Sequence, residues 1–164
     1  MIVPDSTERE AIVEENKAGI EEKITKYRSD VEQLIRYLPW LESKSGRNIT
    51  EVYLPDEGKK NGFQVPVYDS TLLSFIKTAQ STQLIDKNYV YVYSRKRIRT
   101  PEDELRLIDH TQIMEMENIG AVLSKYVLKG RTKASLWNEG ITNGVFYHAV
   151  KKMKELIEFW SVPM

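Results

Sequence analysis

Between Arg131 and Tyr147 the chain gathers the side chains that a ligand site would use: the guanidinium of Arg131, the indole of Trp137, the amide of Asn138, the carboxylate of Glu139 and the phenol of Tyr147. If the connector lines a concave ligand pocket, with Asn138 or Glu139 turned inward beside Arg131 and Tyr147, a small-molecule enzyme with its site here is one reading. The competing reading is structural. Arg131 follows Gly130, a helix-stopping residue, and so falls beside the orphan carbonyls of the preceding helix, while Trp137 falls on the inner side of a short helix with Ile141 one turn beyond.

A second constellation lies upstream. Tyr89, Tyr91, Tyr93, Arg95, Arg97 and Arg99 occupy alternate positions, so an extended backbone would set three rings and three guanidinium groups on one face. Single-stranded nucleic acid is held by that pairing of stacking platform and cationic track. Against it stands the arrangement in which the tyrosines pack under a helix and the arginines sit in a solvated loop.

For catalysis and metals the inventory is thin. His110 and His148 are the two histidines, and neither has a carboxylate or second ligand three or four residues on. Cysteine is absent, which removes disulfides, thiolate ligands and a thiol nucleophile. No glycine-rich phosphate loop or Gly-x-Ser-x-Gly elbow occurs, and Glu115 and Glu117, two apart, point to different faces of a helix. The expectation is no catalytic residue, no metal and no cofactor.

These residues must be positioned by elements that the hydrophobic pattern suggests. Ile119, Val122, Leu123, Tyr126 and Val127 mark one helical face, and Phe146, Ala149, Val150, Met153, Ile157 and Trp160 another, giving helices over Met116–Lys129 and Gly144–Phe159 with a shorter one at Thr132–Ile141 between them. That trio also has the outline of a helix-turn-helix. Earlier, a helix from Ser6 to Leu41 has a sparse first half (Ile12, Val13, Ile20, Ile24, Tyr27) and a dense second half (Val31, Leu34, Ile35, Leu38, Leu41), with Pro39 placed to end or kink it. Ile49–Leu54 and Phe63–Tyr68 alternate about a polar, glycine-containing turn and read as a hairpin, and Tyr89–Tyr93 reads as a further strand. Asp69 is placed to cap a helix carrying Leu72, Phe75, Ile76 and Ala79, and Thr100-Pro101-Glu102-Asp103 to open another.

The expected fold class is therefore α+β: mainly helical, with a small antiparallel sheet made of the hairpin plus one strand, and a C-terminal helical subdomain. Residues 1–26 are expected to form an exposed helical extension and 27–164 a single domain. The sparse stripe of the extension suits a helix laid on a symmetry mate, which makes the chain a homodimer or the binder of an unknown protein partner.

Arg131, Trp137, Ile141 and Gly144 together resemble the C-terminal signature of an uncharacterised bacterial domain-of-unknown-function family, in which a helix ends at an arginine and a tryptophan precedes a glycine-started amphipathic helix. Leu34 to Glu42 looks like that family's N-terminal helix end, and Pro66-Val67-Tyr68 with the helix after it looks like its middle, so the resemblance runs from about Val31 to Leu156. Thr132 and Ser135 depart from it, standing where the family more often has an aromatic residue and a glycine. The resemblance implies a small bacterial protein and brings no activity with it.

The whole-chain totals limit the partners. Lys and Arg number 24, as do Asp and Glu, so the net charge is zero and any attraction to nucleic acid or an acidic membrane must be local. No run approaches the roughly 18 apolar residues of a spanning helix, and no leader pattern opens the chain, so membrane contact is not expected and a cytoplasmic location is. The leading functional expectation is a non-catalytic binding or interaction module, ahead of single-stranded nucleic-acid binding and of the small-molecule enzyme.

Overall fold

A computed structural model describes residues 6–45, 51–53, 65–67, 70–133 and 135–161. Along the chain these form α1 (Ser6–Ile35), α2 (Leu38–Lys44), β1 (Glu51–Tyr53), β2 (Val65–Val67), α3 (Ser70–Gln80), α4 (Tyr89–Lys96), α5 (Pro101–His110), a 3-10 turn (Ile113–Glu115), α6 (Met116–Lys129), α7 (Ser135–Thr142) and α8 (Val145–Ser161).

Helix α8 is the centre of the packing. Its stripe of Val145, Phe146, Ala149, Val150, Met153 and Ile157 is buried, and α1, α2, α5, α6 and α7 all pack against it. A helix covered on so many sides cannot enter a DNA groove, which removes α8 as the reader of a helix-turn-helix. The rings of Phe75 and Tyr126 meet Phe146 at 5.1 and 5.6 Å, joining α3, α6 and α8 in one aromatic cluster. Helix α1 enters this core at Ile24 and contributes Tyr27, Val31 and Leu34, a stripe of alternating three- and four-residue steps. The stripe expected to serve a symmetry mate is thus largely spent inside the protomer: Ile24 and Tyr27 are buried, Ile20 is half-buried, and the side chains of Ile12 and Val13 lie outside the described residues.

The first helix breaks ahead of Pro39 as expected, since the missing N–H and the ring of Pro39 deny the Ile35 carbonyl, four residues back, its intrahelical partner. That helix stops at Ile35, and Pro39 lies in the first turn of α2, where a missing N–H leaves no bond within α2 unmade. Thr100 opens α5 as expected: its hydroxyl accepts the Asp103 N–H at 3.2 Å while the Asp103 carboxylate accepts the N–H groups of Thr100 and Arg99.

The α+β class is overturned, because the packed body is helical throughout. Residues 51–53 and 65–67 do pair antiparallel, Glu51 opposite Val67 and Tyr53 opposite Val65. Two three-residue strands make no layer for helices to cover, and an isolated hairpin of that size contributes little stability. Its turn, 54–64, and the cap at Asp69 lie outside the described residues. The expected third strand, Tyr89–Tyr93, is helix α4. Alternating tyrosine and valine is a strand signal only where a sheet edge is there to receive it. Here the segment lies on α6, which buries Val92 and draws Tyr89 and Tyr93, one helical turn apart, into edge-to-face contact at 6.1 Å.

Candidate functional site

The connector residues do not converge. Gly130 adopts ordinary right-handed helical angles, and its lack of a side chain serves another purpose: a Cβ there would lie 2.2 Å from the Trp137 indole. The indole lies on that bare backbone, half-buried, and its Nε1–H donates to the Val127 carbonyl at 3.3 Å. Trp137 thus clamps the end of α6 to α7. The Arg131 side chain is exposed and joins no ion pair among the described residues, and Glu139 is exposed on α7. Asn138 is half-buried, and its backbone carbonyl accepts the Thr142 hydroxyl. Tyr147, on α8, is half-buried and faces His148 and the Lys151 ammonium. None of the five lines either the groove beside α1 and the 3-10 turn or the cleft between α5 and α8.

The aromatic and cationic stripe is dispersed for the same reason that α4 is a helix. Tyr93 turns inward, Tyr91 is 72% exposed, and Tyr89 lies between. Arg97 is the one described non-glycine residue with a left-handed backbone (φ 55°). It closes α4 as its C-terminal cap, with the Ile98 N–H returning to the Tyr93 carbonyl at 2.9 Å and the Ile98 side chain buried.

Glu104 was missed by sequence reasoning, which read the opening of α5 on Thr100 to Asp103 and went no further along its acidic first turn. It is 1% exposed. Tyr126 Oη donates to its Oε1 at 2.6 Å, Tyr93 Oη donates to its Oε2, and Lys125 Nζ reaches Oε2 at 3.2 Å. Asn143 Nδ2 donates in turn to Tyr126 Oη at 3.0 Å, while its Oδ1 accepts the Val145 N–H that opens α8. Burial and the neighbouring carboxylate push both phenols far above the usual tyrosine range, burial acting most. The available signal was position: Glu104, Ile108 and Thr111 share one inward face of α5 at helical spacing. With its acceptor sites occupied, this carboxylate is a structural staple between α4, α5, α6 and the α7–α8 turn.

Because Glu104 meets Lys125 and Tyr126 while the 3-10 turn joins the far end of α5 to the start of α6, the two helices run antiparallel. The start of α5 therefore lies beside the end of α6. That end of the molecule carries Arg95, Lys96, Arg97, Arg99, Lys129, Arg131 and Lys133, all exposed and none in an ion pair among the described residues. The opposite end is acidic: α1 contributes Glu21 and Glu22, and Glu115 and Glu117 flank the start of α6, with Glu117 paired to Lys23.

At this acidic end lies an open groove of about 690 Å³. Ala18, Gly19, Ile20 and Glu22 of α1 form one wall, Gln112, Ile113 and Met114 the second, and Trp160 of α8 the third. Met114 is 47% exposed, Trp160 39% and the adjoining Phe159 70%, with the Phe159 and Trp160 rings edge to face at 5.0 Å. A smaller cleft between α5 and α8 has walls of mixed charge, among them Asp109, His148, Lys151 and Glu155. Among the described residues no three His, Asp or Glu side chains come close enough together to hold a metal.

No family model, no curated protein and no solved structure matches this chain. No helix among the described residues is long and apolar enough to cross a membrane.

Proposed function

We propose that this chain is a non-catalytic interaction module, and that its docking surface is the groove between α1, the 3-10 turn and the end of α8. The observation that carries the reading is the gathering of Ile20, Met114, Phe159 and Trp160 at one place, with three of the described exposed large apolar side chains among them. Exposed apolar surface gathered around a concavity and rimmed by charge is characteristic of a docking site. Glu22 is the charged residue in the lining, and the neighbouring Lys23 is already paired to Glu117, so the matching partner presents apolar side chains flanked by cations. An amphipathic leucine–lysine helical peptide is a suitable probe, and the tryptophan fluorescence of the full chain reports its arrival at Trp160. Saturable binding at roughly tens of micromolar is expected. It should weaken at least tenfold in Met114→Lys and vanish for a serine–lysine peptide of the same charge. Equal binding of both peptides, or indifference to Met114→Lys, would sink the proposal.

A second reading rests on the seven exposed cations at the other end, none in an ion pair among the described residues, together with the exposed Tyr91, which suit single-stranded nucleic acid. Anisotropy of a labelled oligonucleotide at low salt tests it. Binding should fall steeply as salt rises and be lost in an Arg95→Glu, Arg97→Glu, Arg99→Glu variant. No binding at low salt rejects it.

A further inference from the structure

Resting on the groove reading above, we infer that its occupant is a second copy of this chain, docked head to tail through the outward face of α4. That face repeats the chemistry the groove calls for. Val90 and Tyr91 stand 59% and 72% exposed, an apolar knob on α4, with the exposed Lys87 in the turn that leads into the helix and Arg95 one helical turn after Tyr91. The groove offers Ile20, Met114 and Trp160 to the knob, and the Glu22 carboxylate to a flanking cation.

A chain cannot fill its own groove. Helix α4 is held on the C-terminal half of α6 by buried Val92, by the Tyr93 bond to Glu104 and by the Asp86 N–H donated to Ser124 Oγ at 2.8 Å, whereas the groove lies beyond the N-terminus of α6. Donor and acceptor surfaces are therefore different patches of one molecule. Docked head to tail, that contact is heterologous, so each copy that docks leaves one knob and one groove open for the next until a ring closes. A short helix face buries less than the about 800 Å² per partner of a standard interface, so the association is weak and growth is concentration-dependent. Opposed charges across the rim make it salt-sensitive as well.

Sedimentation velocity of the full chain, at low and high salt, tests the inference together with two surface variants. Wild type is expected to grow beyond dimer as concentration rises and to fall back to monomer in high salt. Tyr91→Glu keeps the groove and loses the knob, Met114→Lys does the reverse, and each alone should be monomeric with unchanged circular dichroism. An equal mixture should form a dimer and grow no further, because one intact knob meets one intact groove. Wild type that stays monomeric at all concentrations overturns the inference, as does either variant self-associating alone or a mixture that stays monomeric. Should these fail while the leucine–lysine peptide still binds in a Met114-dependent way, the groove reading stands and the second copy alone is excluded. Loss of the peptide signal refutes the groove reading itself.

Discussion

At Glu104 one carboxylate receives the phenols of Tyr93 and Tyr126 and the ammonium of Lys125, almost wholly out of water. Removing the acceptor leaves two phenols without their partner and one cation without its counter-ion, which is costlier than the net worth of the bonds. Glu104→Ala should therefore lose about 3 kcal/mol, the low end of the range for breaking a buried pair because Lys125 retains some access to solvent. Urea unfolding followed by circular dichroism measures it, and a loss below about 1 kcal/mol would reject the staple role. The same residues govern alkaline stability. Both phenols ionise at higher pH in the folded chain than in the unfolded one, so between those values the folded state holds more protons and raising the pH favours unfolding. Their contribution is complete below the unfolded tyrosine pKa near 10 and is lost above it, at up to about 1.4 kcal/mol per pH unit for each ring. Unfolding free energies from pH 8 to 11 should fall more steeply in wild type than in a Tyr93→Phe, Tyr126→Phe variant. Parallel slopes would contradict it.

Elements here are joined by close approaches that particular residues permit. A Cβ on Gly120 would lie 2.6 Å from the Leu84 carbonyl oxygen, so the absence of a side chain lets the segment before α4 cross α6. Ser124, one turn on, then accepts the Asp86 N–H and fixes where that segment crosses. At the other end of α6, Gly130→Ala would force the Trp137 indole off the helix end and press on the Tyr126 carbonyl, only 2.5 Å from the added carbon. A loss of about 1–3 kcal/mol is expected by thermal denaturation, with Trp137 fluorescence shifted. Arg131→Ala, on an exposed side chain, should stay within about 0.5 kcal/mol and so serves as the control. The cap of α4 points the other way. Arg97 bears a left-handed backbone that costs a side-chain-bearing residue about 1 kcal/mol or more, so Arg97→Gly should be neutral or stabilising by up to roughly 1 kcal/mol. Clear destabilisation in chemical denaturation would mean that the arginine side chain itself supports the turn.

For the molecule as a whole, one core runs from Ile24 to Ile157 around α8, with no break at which helices could melt separately. Trp40 on α2, Trp137 on α7 and Trp160 at the end of α8 report on three different helices of it. Unfolding should therefore be one transition, with circular dichroism and tryptophan fluorescence coinciding, and Phe146→Ala should move both curves together by about 3–5 kcal/mol. Separated midpoints would show independent units. Charge is distributed differently from packing. A chain with zero net charge places a cationic end at the close of α6 and an acidic end at its start, so its total understates the field that a partner meets at either end.

Helices α5, α6 and α8 were legible in the sequence because their determinants are local. Thr100 and Asp103 satisfy one another's backbone within a single turn, and the stripes of α6 and α8 repeat at the helical period whatever lies opposite. Tyr89–Tyr93 was not legible. Its alternation fits either backbone, and the choice falls to α6, which supplies a helix surface to pack on and no strand edge to pair with. Glu104 was hidden by distance along the chain, since Tyr93, Lys125 and Tyr126 lie 11, 21 and 22 residues away and only folding brings their donors together. The groove is a product of assembly in the same way: Ile20, Met114 and Trp160 belong to three separate segments, and the sequence by itself determined that each was apolar. Their partial exposure around one concavity was decided by the tertiary structure, because α1 and α8 direct their stripes toward the shared core and leave these ends of the stripes only partly covered.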